Sequence, residues 1–141
     1  MNFFLSFDTP EKVIFEGNVI SLIAPGTIGY LEILANHAPI ITTLVPGKVT
    51  ITLENQEKKI FAISYGFLKV DKNNVSLLVD AAELASQINP EKAKIAIQKA
   101  EKLLRSESPE TDIARAKKAL GRAKNRLKIY EDYTASKDSQ R

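Results

Sequence analysis

The sequence predicts an α+β protein, an N-terminal antiparallel β-sandwich followed by a C-terminal antiparallel two-helix hairpin. Three observations predict it. Short β-rich runs fill the first part of the chain between closely spaced turn residues, helix-start signatures appear only from Asn89 onward, and the charge changes sign between the two parts. Residues 1–83 carry six lysines, no arginine and nine carboxylates, whereas residues 84–141 carry fourteen basic residues against eight carboxylates and hold all five arginines. A shift of that size marks two structural units, with the boundary near Ala82–Asn89. The expected units are a sandwich over 1–84, a hairpin over 85–135 and a polar, mobile tail over 136–141.

In the first part, VTITL (49–53) alternates strictly, with Val49, Ile51 and Leu53 on one face and Thr50 and Thr52 on the other, the period of a half-buried strand. NFFLSF (2–7), NVISLIA (18–24), IFAISY (60–65), FLKV (67–70) and VSLLV (75–79) are further β-rich runs. Turn residues at Thr9–Pro10, Gly17, Pro25–Gly26, Gly29, Pro46–Gly47, Glu54–Asn55, Gly66 and Asp71–Asn74 punctuate them. Short strands with such regular punctuation build an antiparallel sandwich or barrel.

The second part starts with NPEKA (89–93), where Asn89 caps, Pro90 occupies the first helical position and Glu91 sits in the first turn. SPETD (108–112) repeats the device with Ser108, Pro109 and Glu110. The expected helices run over 90–105 and 109–132. Ile113, Ala116, Leu120, Ala123, Leu127 and Tyr130 form the seam of the second helix, facing Ala93, Ala96, Ile97, Ala100, Leu103 and Leu104 of the first. A short connection between amphipathic helices makes an antiparallel hairpin. So alanine-rich a seam buries little area, at about 25 cal/mol per Å², so the hairpin leans on the sandwich or a partner and is able to leave it.

The 141-residue chain has no cysteine, which rules out disulfides, thiol nucleophiles and zinc fingers. The start, MNFFLSFDTPEKV, lacks the basic region of a signal peptide. No apolar run approaches the ~20 residues of a membrane helix, so direct lipid insertion is not expected. His37 is the only histidine. A catalytic histidine needs a nucleophile and an orienting carboxylate, and the chain shows no GxSxG, HExxH or phosphate-binding GxxxxGK[ST] pattern to supply them. One histidine and no cysteine also assemble no metal site. GTIG (26–29) has the form of a nucleic-acid-clamping GxxG, but it lies between strand-like runs with no Lys or Arg from Val13 to Gly47, so it reads as a turn. The basic second part is interleaved with acids and holds only Tyr130 and Tyr133 for base stacking, which argues against nucleic acid. Lys92 and Lys99 lie seven apart, as do Arg115 and Arg122, with Arg126 one turn further. Each set shares a helix face. They are either a solvated rim or, if the rims meet, a cationic groove suited to phosphate.

GTIGYLEILANHAPIITTLVPG (26–47), YGFLKV (65–70), VSLLVDAAE (75–83) and the two-helix tail together resemble the epsilon subunits of bacterial and chloroplast rotary ATP synthases, over almost the whole chain. Glu32 stands where the family usually has glycine and Ala35 where it often has proline; Gly29, His37, Ala38, Pro39, Pro46 and Gly47 keep the pattern. The resemblance implies a non-catalytic central-stalk (rotor) subunit that couples the catalytic head to the ion-driven membrane ring. It implies that the sandwich binds the gamma subunit and the c-ring, through Tyr30, Leu31, Glu32, Asn36, His37, Ala38 and Pro39. The hairpin would switch from a compact state to one extended into the alpha and beta subunits, inhibiting ATP hydrolysis through Arg115, Lys118, Arg122 and Arg126. The site would be peripheral, on the cytoplasmic face of an energy-transducing membrane, or stromal in a plastid.

Some family members bind ATP on the folded hairpin through an [IL]DxxRA motif. The aligned stretch keeps Ile88 and Ala93, but Asn89 stands for Asp and Lys92 for Arg; Lys99 stands for a further arginine, while Glu83, Arg122 and Arg126 match. Lysine keeps the charge and loses the planar fork that grips phosphate. The resemblance therefore implies a degenerate site, with ATP at most a weak regulatory ligand and no other cofactor. The rival readings are a free-standing ATP-sensing module and a small enzyme using His37.

Overall fold

The computed structural model describes residues 1–107 and 109–139. They divide into two compact units, Met1–Leu84 and Ala85–Arg141.

The first unit holds nine strands: β1 (Phe3–Asp8), β2 (Val13–Gly26), β3 (Gly29–Ile33), β4 (Ile40–Leu44), β5 (Gly47–Leu53), β6 (Lys58–Ile63), β7 (Gly66–Asp71), β8 (Asn74–Val79) and β9 (Ala82–Leu84). One layer runs β1-β8-β7-β4 and the other β5-β6-β9, and the 14-residue β2 serves both. Its first part pairs with β1, from Phe3 opposite Val19 to Asp8 opposite Val13, while Val19–Ile23 pairs with β5 and Leu22–Gly26 with β3. Period-two alternation drives the layering: Phe3, Leu5 and Phe7 of β1, Leu68 and Val70 of β7, and Val75, Leu77 and Val79 of β8 all point into one core with Leu22, Ile33, Val49 and Ile51. Phe7 meets Phe61 of the opposite layer edge to face, with ring centroids 5.1 Å apart at 72°.

The sandwich stands as expected, with more strand than the sequence runs suggested. β3 and β4 lie between residues 26 and 47, where no strand run was expected, and β2 begins at Val13 rather than Asn18. The physical reason is that alternation survives among the turn residues. Leu31 is half-buried and Ile33 fully buried, while Tyr30 and Glu32 point out; Thr42 is half-buried and Leu44 fully buried, while Ile41 and Thr43 point out.

The second unit opens with a 3-10 turn (Ala85–Gln87) and continues in α1 (Pro90–Leu104) and α2 (Glu110–Ser139). Asn89 caps α1 from an extended conformation, its Oδ1 accepting the Lys92 N–H at 3.1 Å. The cap expected at Ser108 lies outside the described residues; the next residue, Pro109, offers its carbonyl to the N–H groups of Asp112 and Ile113. The helices pack along small side chains. Ala93 and Ala100 are buried on α1, and Ala116 and Ala123 on α2, at matching distances from the connection.

Two details differ from expectation. α2 runs through Ser139 rather than stopping at 132, so the tail expected from 136 is helical up to that point. No glycine or proline follows Gly121, the Thr134 hydroxyl is absorbed by the Tyr130 and Glu131 carbonyls, and Lys137 Nζ lies 5.1 Å from the Tyr133 ring centroid. An apolar seam that ends does not end the helix. Second, Ile129 is buried beside the expected seam residue Tyr130, which is only half-buried. The 3-10 turn also packs on α2, which widens the covered face of that helix beyond one seam.

Candidate functional site

The signature segment forms one end of the sandwich. Thr27, in the β2–β3 turn, donates its N–H to the Thr43 carbonyl at 3.2 Å, and the two threonine hydroxyls meet at 2.6 Å. The turn is thereby tied to β4, and Ile28 at its apex is fully exposed. Tyr30 is 59% exposed, yet its hydroxyl accepts the Lys48 N–H at 2.9 Å. That approach needs Gly47, where a Cβ would meet the Pro25 ring at 2.5 Å and the Tyr30 oxygen at 2.8 Å. The ring is displayed and its orientation is locked. Leu31 packs against the core, and the exposed Glu32 accepts a bond from Ser21 Oγ at 3.4 Å across β2–β3.

The turn after β3 is equally well fixed. Asn36 adopts φ 65°, a left-handed conformation that asparagine tolerates. Its N–H donates to Asn73 Oδ1 at 2.7 Å, and Asn73 Nδ2 donates back to Asn36 Oδ1 at 3.1 Å, pinning the loop to the β7–β8 turn. The His37 N–H bonds the Leu34 carbonyl at 3.2 Å, and Nδ1 donates to the Ala38 carbonyl at 2.7 Å. The imidazole thus bonds backbone rather than a hydroxyl or carboxylate, the arrangement of a loop-shaping histidine. Ala38 and Pro39 are exposed beside it. Seven expected contact residues, Tyr30, Leu31, Glu32, Asn36, His37, Ala38 and Pro39, therefore lie on one rigid turn–strand–turn segment.

A second surface went unnoticed in the sequence. The outward residues of the β1-β8-β7-β4 layer align in rows: Asp8 opposite Leu78, Leu78 opposite Phe67, and Phe67 opposite Thr43, with Ile41 opposite Lys69 in the next row. Three large apolar side chains stand in the open here, Ile41 at 73% exposure, Phe67 at 57% and Leu78 at 49%. The signal was present in the doubled apolar pairs Phe67–Leu68 and Leu77–Leu78, which put one apolar residue on each face of a strand where alternation should leave one face polar.

On the hairpin, Arg115 and Lys118 are exposed on α2 and Arg122 and Arg126 half-buried. Lys92 and Lys99 are exposed on α1, Ala93 is spent on the helix seam, Ile88 is buried, and the Asn89 side chain is occupied as a cap. Glu83 belongs to the other unit, in β9 opposite Ala62. The structure thus puts the lysines and arginines on the two packed helices of one hairpin. Among the described residues, no group of three or more His, Cys, Asp or Glu side chains could hold a metal ion. No helix there is long and apolar enough to cross a membrane.

Comparison with known proteins covers both units. Residues 2–85 match the family model described as ATP synthase, Delta/Epsilon chain, beta-sandwich domain, and residues 86–131 the one described as ATP synthase, Delta/Epsilon chain, long alpha-helix domain. The chain is 43% identical over 124 residues to the ATP synthase epsilon chain of Moorella thermoacetica, covering 88% of this chain and 92% of that one. It is 42% identical over 127 residues to the epsilon chain of Desulforamulus reducens, covering 90% and 96%. Among solved structures, a chain of the Euglena gracilis mitochondrial ATP synthase OSCP/F1/c-ring assembly superposes with a TM-score of 0.73 over 96% of this chain and 81% of that one, at 22% identity, a likeness of fold.

Proposed function

The chain belongs to the ATP synthase delta/epsilon chain family, and on that premise we propose that its sandwich joins the gamma subunit to the c-ring while its hairpin restrains ATP hydrolysis. As an epsilon-type chain it is a non-catalytic subunit of the central stalk of a rotary ATP synthase. The observation that supports a docking role is the open apolar patch of Phe67 and Leu78 in one row and Ile41 in the next on the outer sheet face. Three such side chains in contact with water are a cost that a packed partner removes, at about 25 cal/mol per Å² covered. That face is the seat of the gamma subunit. The rigid end built from Ile28, Tyr30, Glu32 and the Asn36–Pro39 turn meets the c-ring. The complex places the chain peripherally on the cytoplasmic face of its membrane, or the stromal face in a plastid.

The hairpin supplies regulation. Between Ile113 and Tyr130, α2 carries seven Lys and Arg residues and no carboxylate. Such a helix is drawn to acidic loops of the alpha and beta subunits once extended, with Arg115, Lys118, Arg122 and Arg126 as the contact set. The deciding experiment is ATP hydrolysis by the purified catalytic complex carrying either the full chain or a version ending at Ala85. A faster rate on truncation is expected, and reversal of the four named charges should reproduce part of it. An unchanged rate with the truncated subunit still bound removes the brake from this reading, and failure to co-purify with gamma removes the stalk role.

ATP is at most a weak ligand of the hairpin. Asn89 has its side-chain Oδ1 committed to the Lys92 N–H, and Lys92 and Lys99 lack the guanidinium fork. Each tenfold loss of affinity takes only about 1.4 kcal/mol. Calorimetry on the isolated chain should find no low-micromolar ATP site; finding one would revive the ATP-sensing module.

A further inference from the structure

Asp8 ends β1 at the margin of the open apolar row, directly opposite Leu78 and two strands from Phe67. Its neighbours on that face are Ser6, whose hydroxyl donates to Asp8 Oδ2 at 3.1 Å, Val13 opposite it on β2, and, in the adjoining row, Glu16, Ser76 and Lys69. Oδ1 is shut off from solvent and accepts no hydrogen bond. Among the described residues, no lysine or arginine pairs with this carboxylate. A half-buried carboxylate bonded by a single hydroxyl is under-satisfied, because its sealed oxygen has given up water without gaining a donor. The same group beside an exposed apolar patch has the make-up of an interface, with an apolar centre and a charge at its rim awaiting its counterpart.

We propose that Asp8 is the electrostatic anchor of the outer sheet face, and that the partner seated on Leu78, Phe67 and Ile41 brings a lysine or arginine side chain against its carboxylate. Oδ1 is closed to solvent and so to the partner, which leaves Oδ2, the oxygen bonded by the Ser6 hydroxyl, to meet the cation. The partner is thus specified chemically: an apolar surface with a basic residue placed one strand spacing from its edge. A partner with an acidic residue at that place is rejected, because like charges would face each other in a site drained of water.

This inference rests on the reading that the outer sheet face seats the gamma subunit, and the test separates the two. The probe is purified gamma subunit of the same complex, titrated against the full chain at 50 mM and 300 mM salt. Phe67→Ser and Leu78→Ser test the seat, and Asp8→Asn and Asp8→Lys test the anchor. The seat predicts that Phe67→Ser and Leu78→Ser each weaken binding at least tenfold at both salt levels. The anchor predicts a loss of about tenfold for Asp8→Asn and a hundredfold for Asp8→Lys at low salt, with both losses shrinking at high salt. If the serine variants bind like the parent, the seat is elsewhere and the anchor falls with it. If they weaken while Asp8→Asn and Asp8→Lys bind like the parent or more tightly, the seat stands and the anchor is overturned. Thermal melts of each free variant verify folding, and Asp8→Asn is expected to melt no lower than the parent because a neutral amide replaces an under-satisfied carboxylate.

Discussion

The two units are held together by different materials. The sandwich buries phenylalanine, leucine, isoleucine and valine from both layers, with Phe3, Leu5, Phe7, Leu22, Ile33 and Leu77 almost wholly removed from water. The hairpin joins its two helices over alanines, Ala93 and Ala100 against Ala116 and Ala123. A buried leucine or phenylalanine contributes about 1.5–3 kcal/mol and a single methyl group less than 1 kcal/mol. The lesson is that one chain carries one unit with a large-residue core and one with a small-residue seam, and the difference is written in side-chain volume. Charge sharpens the contrast, since the basic middle of α2 repels itself while the sandwich carries more carboxylates than lysines.

Three substitutions probe that difference, each read by denaturant unfolding together with hydrogen exchange resolved by segment. The largest effect is expected from Phe7→Ala, which empties a fully buried site and removes the edge-to-face partner of Phe61. A loss of roughly 3–5 kcal/mol should appear in the sandwich, with exchange in α1 and α2 unchanged in the part of the transition that belongs to them. Equal loosening of both units would mean that they unfold as one body and would break the contrast.

Gly47→Ala comes next. The new methyl group collides with the Pro25 ring and the Tyr30 hydroxyl, and such overpacking costs about 1–3 kcal/mol. Because the strain falls on the Tyr30–Lys48 bond, faster exchange at the Lys48 amide is the diagnostic sign. Unchanged exchange there would show that the tyrosine is not locked by this contact. The smallest effect belongs to Asn89→Ala, which deletes the α1 cap for about 1 kcal/mol. Against the slender seam of the hairpin even this should speed exchange along the first turns of α1, with the sandwich untouched; an α1 indifferent to its cap would mean that the arm is held more firmly than alanine packing allows.

Much of the surface chemistry was legible before folding. NPEKA announced a capped helix, and Asn89 does accept the Lys92 N–H. No catalytic pattern accompanies His37 in the sequence, and its ring bonds the Ala38 carbonyl. The open apolar row and the under-satisfied Asp8 were not legible, because each depends on which residues of distant strands become neighbours. Asp8 and Leu78 are separated by seventy residues and meet only through a parallel β1–β8 pairing. The reciprocal bonds of Asn36 with Asn73 were hidden for the same reason.

By itself the sequence determined the element types, the division into two units and the slightness of the helix seam, since these follow from periodicity, capping and side-chain volume, all local properties of the chain. Tertiary structure alone decided the path of β2 through both layers, the locking of Tyr30 over Gly47, and the outer face where Asp8, Leu78, Phe67 and Ile41 come together. Register is the physical reason. A one-residue slip in strand pairing would turn every one of those side chains to the opposite face, and only the closed core, filled by Phe3, Leu5, Phe7 and their partners, excludes the slip.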